Sequence, residues 1–494
     1  MRHSSRATRL RAQSAAVLFA SLTACALMPA PVLAQTAIAP NLTKLRPIKC
    51  IAYDPKPSDF RQDAYFDSDF FNSDFTAIWG DDGQPGARND LKTFAGAKLN
   101  LLHLYDWNAQ RANHTAALDA AQALGIKVMV PISNFTAGTI IGRTPGCDTC
   151  KHGYKQAFEL VRGIFNQVYL DGKTPHAAAA MWGIFNEYDL NSVNPVDVAF
   201  VAQAILTLEN EAGIAPENRL PITAPVSFAI WYADARKDMP REMNAAFARA
   251  AQQWLVTNPG KNVTTDLPVD LPGAVLAILA VSNALSDAQA ITSYQSKFDT
   301  AGPVAVSAVP ADFWKTRWIA SMNPFSPGAT LVTYITDAAQ FQSAFPGSTN
   351  FDTLPPLFFG EMGRSQLDTR SAMPGPPPTC GADCLANQAA WVRDQVELTN
   401  SLASNPASTT GGYFLGSCVF QHTFVDAAKY QVFDTTGAFS NRAAAPGAPF
   451  PATGKEWRVD QLTPLPVWTS VVNGYSKSLL EDWRPGDVPA DTAQ

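Results

Sequence analysis

Two glutamates stand where this chain could do chemistry. Glu187 lies in "MWGIFNEYD" (181–189), where an apolar run gives way without warning to Asn186 and Glu187. Glu361 lies in "LFFGEMG" (357–363), again flush against apolar residues. Burial and near neighbours set the proton affinity of a carboxyl, so two of them facing one gap can divide acid and base work. Each alone reads as an ordinary rim carboxylate. The pair, each ending a buried run, points to a site.

Such a pair needs a frame, and the order of segments supplies one. Short apolar runs at 47–54, 99–107, 126–133, 181–187, 220–228, 317–325, 357–363 and 411–420 are nearly continuous, as parallel strands buried on both faces are. Segment 302–310 also reads as extended and competes for the sixth place. Helical stretches lie between: 114–125 and 195–213 stop at glycine, 154–170 spaces Phe158, Val161, Phe165 and Val168 at three and four, and 386–403 and 466–483 follow. Eight strands alternating with helices predict an α/β fold, a (β/α)8 barrel over 45–485, with 234–312 as a helical insertion after strand five. Pro/Gly-rich 371–381 and 443–454 read as loops. In such a barrel the site forms at the carboxyl ends of the strands, where Glu187 ends strand four and Glu361 strand seven.

Composition narrows the class. The 494 residues are 46% hydrophobic and 16% charged, ample for a large core. Net charge is −6 with no basic run beyond the amino terminus, so nothing invites nucleic acid. Residues 1–34 read as an export signal: Arg2, Arg6, Arg9 and Arg11, a short apolar stretch, then "PVLA" (31–34) for cleavage after Ala34. The alternative is "LTAC" (22–25), which resembles a bacterial lipobox and would make Cys25 a lipid anchor. No later segment has the length to span a membrane, so the expectation is a secreted or periplasmic protein.

The other cysteines are Cys50, Cys147, Cys150, Cys380, Cys384 and Cys418, an even set that reads as disulfides in an exported chain. "CDTC" and "CGADC" offer zinc spacing but no histidine pattern, so loop staples are favoured over a metal. Cys50 and Cys418 lie on strands that adjoin in a closed barrel and could meet, or remain buried thiols. Acidic "YFDSDFFNSDF" (65–75) lacks the glycine and bidentate glutamate of a calcium loop, and a solvated surface loop is expected. No cofactor and no metal is called for.

With both strand-end motifs in register with eight strands, the chain resembles the clan A glycoside hydrolases. These carry Asn-Glu at the end of strand four and Glu at the end of strand seven, as "WGIFNE" and "FFGEMG" do here. "IAYDPKPSDF", "LNLLHLYDWN" and "RWIASMNPFSPG" look most like β-1,3-glucan hydrolases and glucanosyltransferases. The resemblance implies Glu361 as nucleophile, Glu187 as acid/base and Asn186 as partner of the sugar 2-hydroxyl. Retention of configuration asks for carboxyls about 5–5.5 Å apart. His103 stands where the clan usually has arginine, and Asn323 where it has tyrosine or histidine beside the nucleophile. His103 as a packed core residue is an equal reading.

Sugars also need flat aromatic faces and hydrogen-bonding edges. Tyr53, Trp107, Trp182, Tyr188, Trp231, Tyr232 and Phe325 are the aromatic candidates, each weighed against core packing. Asp54, Tyr105, Asp106 and Asn108 are polar candidates, with Gln421 and His422 after strand eight. The expected partner is a polysaccharide or oligosaccharide. The expected activity is hydrolysis or transglycosylation of a β-linked glucan. The alternatives are a cellulose- or mannan-type glycan and a barrel that binds carbohydrate without turnover.

Overall fold

Eight parallel strands close into a barrel in chain order: β1 (Ile48–Ala52), β2 (Leu101–His103), β3 (Lys127–Ile132), β4 (Ala179–Ile184), β5 (Ile222–Val226), β6 (Trp318–Met322), β7 (Leu357–Met362) and β8 (Phe414–Val419). The computed structural model describes residues 44–60, 69–141 apart from 111, 153–227 apart from 190 and 192, 303–332 apart from 311, 355–366, 382–404, 414–423, 430–444 and 455–477, with isolated positions between 260 and 335. The export signal, Cys25, Cys147, Cys150, Cys380, Trp231, Tyr232 and the 371–381 loop lie outside the described residues. Helices α1 (Asp90–Gly96), α2 (Thr115–Ala123), α3 (Asn134–Ile141), α4 (Tyr154–Val168), α5 (Pro195–Glu211), α6 (Ala382–Ser404) and α7 (Pro466–Ser476) accompany the strands. The fold is a (β/α)8 barrel. No described helix is long and apolar enough to cross a membrane.

The continuous apolar runs are explained by two buried faces. Along β4, Trp182 joins the layer between barrel and helices, while Met181 belongs to a separate cluster inside the barrel with Ile48, Cys50, Leu101, Met129, Ile319, Phe358, Leu415 and Cys418. Gly183 also faces that interior: a Cβ there would meet the Met129 side chain at 3.1–3.3 Å. Outside, α4 buries Ala157, Val161, Ile164 and Val168 on one stripe, each worth about 1–3 kcal/mol on leaving water. Cys50 and Cys418 are register partners on β1 and β8 and form a disulfide, so the last strand is bonded covalently to the first. Cys384 is a free thiol.

The sixth strand is 318–322, and 303–310 runs as an extended segment beside α5, where the Ser307 amide donates to Thr207 Oγ1 at 2.7 Å. That segment belongs to the region read as a helical insertion; of the rest, only scattered positions such as Val281 and Gln295 are described, and these are helical. From Asp69 onward the acidic stretch is packed rather than solvated: Asp69 and Asn72 are each 1% exposed, and Asp69 pairs with His114. Finally, β9 (Phe433–Ala443) and β10 (Glu456–Pro464) form an antiparallel hairpin not read from the sequence, flanking the stretch read as loop. Its side chains are mostly exposed, and apolar alternation is confined to Trp457 and Val459 on β10. It is held by Trp457 against Phe75 (5.1 Å) and by Ser440 and Gln461, which both donate to the Gly86 carbonyl.

Candidate active site

Both glutamates lie at the carboxyl end of the barrel, three strands apart around the ring. Glu361 is on β7 itself and 3% exposed. Glu187 lies three residues past β4 and is partly exposed. Their order along the chain is legible; the turn that aims Glu187 is not. Phe185 and Glu187 both have positive φ, 50° and 49°, a region that residues with a Cβ enter at a cost of roughly 1–2 kcal/mol each. Asn134, at the start of α3, holds the residue between them. Its Oδ1 accepts from the Asn186 amide and its Nδ2 donates to the Asn186 carbonyl, both at 3.0 Å. Asn191 Nδ2 donates to the carbonyls of Asn186 and Glu187, and the Glu187 amide donates to Pro225 on β5.

The side chains then join into one network. Asn186 Nδ2 donates to Glu361 Oε1 at 3.0 Å, and the Tyr105 hydroxyl donates to the same oxygen at 2.8 Å. Asn323 Nδ2 donates to Glu187 Oε1 at 3.1 Å and to Asn186 Oδ1 at 3.2 Å. Two amides therefore link the two carboxyls. Gly360 permits this approach: a Cβ there would stand 2.7 Å from Asn323 Oδ1 and 2.8 Å from Ser321 Oγ. Neither Oε2 has a protein partner among the described residues.

Burial lifts the pKa of both glutamates well above the ordinary carboxylate range, and the charge of Glu187 lifts Glu361 further. Two such neighbours do not both ionise at neutral pH, so the pair keeps a proton. Hydrogen bonds decide where the charge settles. Glu361 accepts from two donors and Glu187 from one, which favours the anion on Glu361 and the proton on Glu187.

His103 is 2% exposed, and burial pushes its pKa down to about 4. The neutral ring donates from Nδ1 to the Gly360 carbonyl (2.9 Å) and stacks on Tyr105, with centroids 4.7 Å apart. It steadies the residue before Glu361 and the ring that bonds Glu361, without touching the carboxyl. Tyr105, read as a sugar-binding residue, fills the place beside Glu361 where the resemblance led arginine to be expected. Asn323 touches Glu187 rather than Glu361. Asp54 pairs with Lys56 at 2.9 Å, and its charge reaches Tyr105. Asp106 and Asn108 line a crevice beside the site.

Several aromatic candidates are packing. Trp182 is fully buried and stacks toward Phe165 and Tyr169, because the strand's alternation turns it outward. Tyr188 is 1% exposed in the same outer core, following a residue whose positive φ redirects the chain. Tyr53 donates to Asp90, and His422 packs edge-on against Tyr53, Phe94 and Phe433 with its pKa lowered by burial to about 4; neither reaches the cleft. Gln421 is likewise buried, and Phe325 packs on Phe420 and Tyr430. Trp107 is 4% exposed with its Nε1 bonded to Gln167, which leaves it an edge role at most. Asn134 and Asn191 went unread, since an isolated asparagine carries no sequence signal for such a hold. Among the described residues no group of His, Cys, Asp and Glu could hold a metal ion.

No protein-family model matches the chain, and no curated protein matches it. Among solved structures the chain is similar over 87% of its length to Saccharomyces cerevisiae Gas2p in complex with laminaripentaose, at 12% identity, 64% of that chain and a TM-score of 0.41. A Gas2p mutant in complex with laminaritetraose and laminaripentaose gives 12% identity, 63% of that chain and 0.41 over the same 87%. A GH5_18 protein from Streptomyces cattleya in complex with Manb1-4GlcNAc gives 11% identity, 80% of that chain and 0.41, again over 87%. The chain spans less than two thirds of the length of the yeast chains it matches.

Proposed function

We propose that the chain is an exported retaining glycosidase or transglycosidase acting on a β-linked glycan, with a β-1,3-glucan the first candidate. The observation that carries this is the bridged pair: a buried and a half-buried glutamate at the ends of β7 and β4, linked through Asn186 and Asn323 and holding a proton between them. Glu361 attacks the anomeric carbon through its free oxygen. The bond to the leaving oxygen breaks as Glu187 delivers its proton there. The glycosyl–Glu361 ester no longer bears a negative charge, so the Glu187 pKa falls and its carboxylate can take a proton from water or a sugar hydroxyl. That oxygen then displaces Glu361. Asn186 lies between the carboxyls, within reach of a hydroxyl next to the reacting carbon, where a hydrogen bond strengthens as the oxocarbenium ion forms.

Export is supported by the Cys50–Cys418 disulfide, since such bonds persist in oxidising compartments. The β-glucan preference rests on the sequence motifs after strands one, two and six. The test is release of phenol from activated aryl β-glycosides, followed by product analysis on laminarin-, cellulose- and mannan-type oligosaccharides. A 2-fluoro glycoside inactivator should label Glu361, read by mass spectrometry of the digested protein. Binding of these glycans with no phenol release from any donor would leave a carbohydrate-binding barrel and remove the enzyme.

A further inference from the structure

A buried histidine–carboxylate pair that none of these steps uses lies beneath one wall of the mouth. Asp69 and His114 are 1% and 0% exposed, and His114 Nε2 stands 2.8 Å from Asp69 Oδ2. The other ring nitrogen stands 2.7 Å from Gln167 Oε1, which also accepts from Trp107 Nε1 at 3.0 Å. Gln167 is fixed in turn, because its Nε2 donates to the carbonyls of Ala109 and Ala112. Indole and imidazole stack with centroids 3.9 Å apart and planes 16° from parallel. The Asn108 amide donates to Asp69 Oδ2 as well. What results is a loop stretch, 107–110, tied down from beneath.

That loop lines a crevice of about 80 Å³. Trp107 and Ile164 are its buried apolar lining, Asp106, Asn108 and Ser133 its polar groups, and Phe135, 36% exposed, its open edge. Both of its walls adjoin the catalytic network. Asp106 follows Tyr105, which bonds Glu361, while Ser133 and Phe135 flank Asn134, which bonds the Asn186 backbone. A liquid water occupies about 30 Å³, so there is room for two or three water-sized groups. A whole pyranose does not fit; a carbon bearing a hydroxyl does. Apolar lining suits a methylene, and the Asp106–Asn108 edge suits a hydroxyl.

We propose that this crevice is a specificity subsite that takes the exocyclic hydroxymethyl of a hexopyranose resting on Phe135, and so selects hexose over pentose units. The proposal rests on the β-glycan reading above but is testable without turnover. In the Glu361→Gln background, calorimetry with laminaripentaose and cellopentaose against xylopentaose reads the selectivity directly. The unaltered crevice should prefer one of the hexose chains by about tenfold or more. Phe135→Ala should remove most of that preference while leaving xylopentaose affinity within twofold, and Phe135→Trp should restore it. Equal weakening of both series, or no change in Phe135→Ala, overturns the subsite. A native chain silent on every glycoside, yet binding hexose chains through Phe135, would overturn the hydrolase reading alone.

Discussion

The two halves of the barrel interior are built on opposite physics. The lower half is a dry plug of Cys50, Leu101, Met129, Met181, Ile319 and Phe358, closed by the Cys50–Cys418 disulfide. The upper half is polar: His103, Tyr105, Asn186, Asn323 and two carboxyls raised by burial, carried partly on backbone at positive φ. Every group in the lower half lowers the free energy of folding. In the upper half, burial and backbone strain cost stability and are tolerated because the surrounding hydrogen bonds and the plug below supply it. Function should therefore separate from stability along the barrel axis.

Glu361→Gln is the strongest attempt to break that division. Turnover of an aryl β-glycoside should fall by about a thousandfold or more, because no nucleophile remains. Its stability should respond in the other direction. Both carboxyls of the pair have raised pKa values, so the native fold favours the pair protonated; that stabilisation is full below the ordinary value of 4.5 and is lost as pH rises through neutrality. Thermal melts should show the variant gaining on the native protein between about pH 5 and about pH 8. A variant that melts lower throughout would mean that the upper half stabilises the fold after all.

Removing the disulfide by Cys50→Ala with Cys418→Ala makes the complementary change. Denaturant titration should show a loss of about 3–5 kcal/mol, since the bond closes a loop across nearly the whole barrel. Activity in mild buffer should persist. Tyr105→Phe removes one of two donors to Glu361 and should lower kcat by about tenfold. Losing a donor to the anion raises its pKa, so the acid limb of the kcat/KM profile should move to higher pH. Asn134→Ala should have the smallest effect. We expect kcat to fall by about threefold to tenfold, with a melting temperature nearly unchanged, because an exposed hold is lost as the strain at Phe185 and Glu187 relaxes.

Much of this division was legible in the chain itself. Eight apolar runs gave the barrel because parallel strands buried on both faces must be apolar throughout, and seven of the eight needed no arbitration. Glu187, Glu361 and Asn186 were legible for the same reason, as polar residues at the points where such runs stop. The hairpin β9–β10 escaped because β9 is exposed along nearly all its length and β10 alternates inward only at Trp457 and Val459. Trp182 was misassigned because an aromatic one residue off the inward parity lies in the outer layer.

Local order along the chain thus determined the strands, their sequence around the barrel and the two carboxyls at its mouth, since hydrophobic periodicity acts over a few residues. Only the tertiary structure decided that Tyr105 rather than His103 bonds Glu361, that Asn323 serves Glu187, and that Asn134 holds a strained turn 52 positions away. These are contacts between strands brought together by closure of the barrel, and no short window of sequence contains both partners.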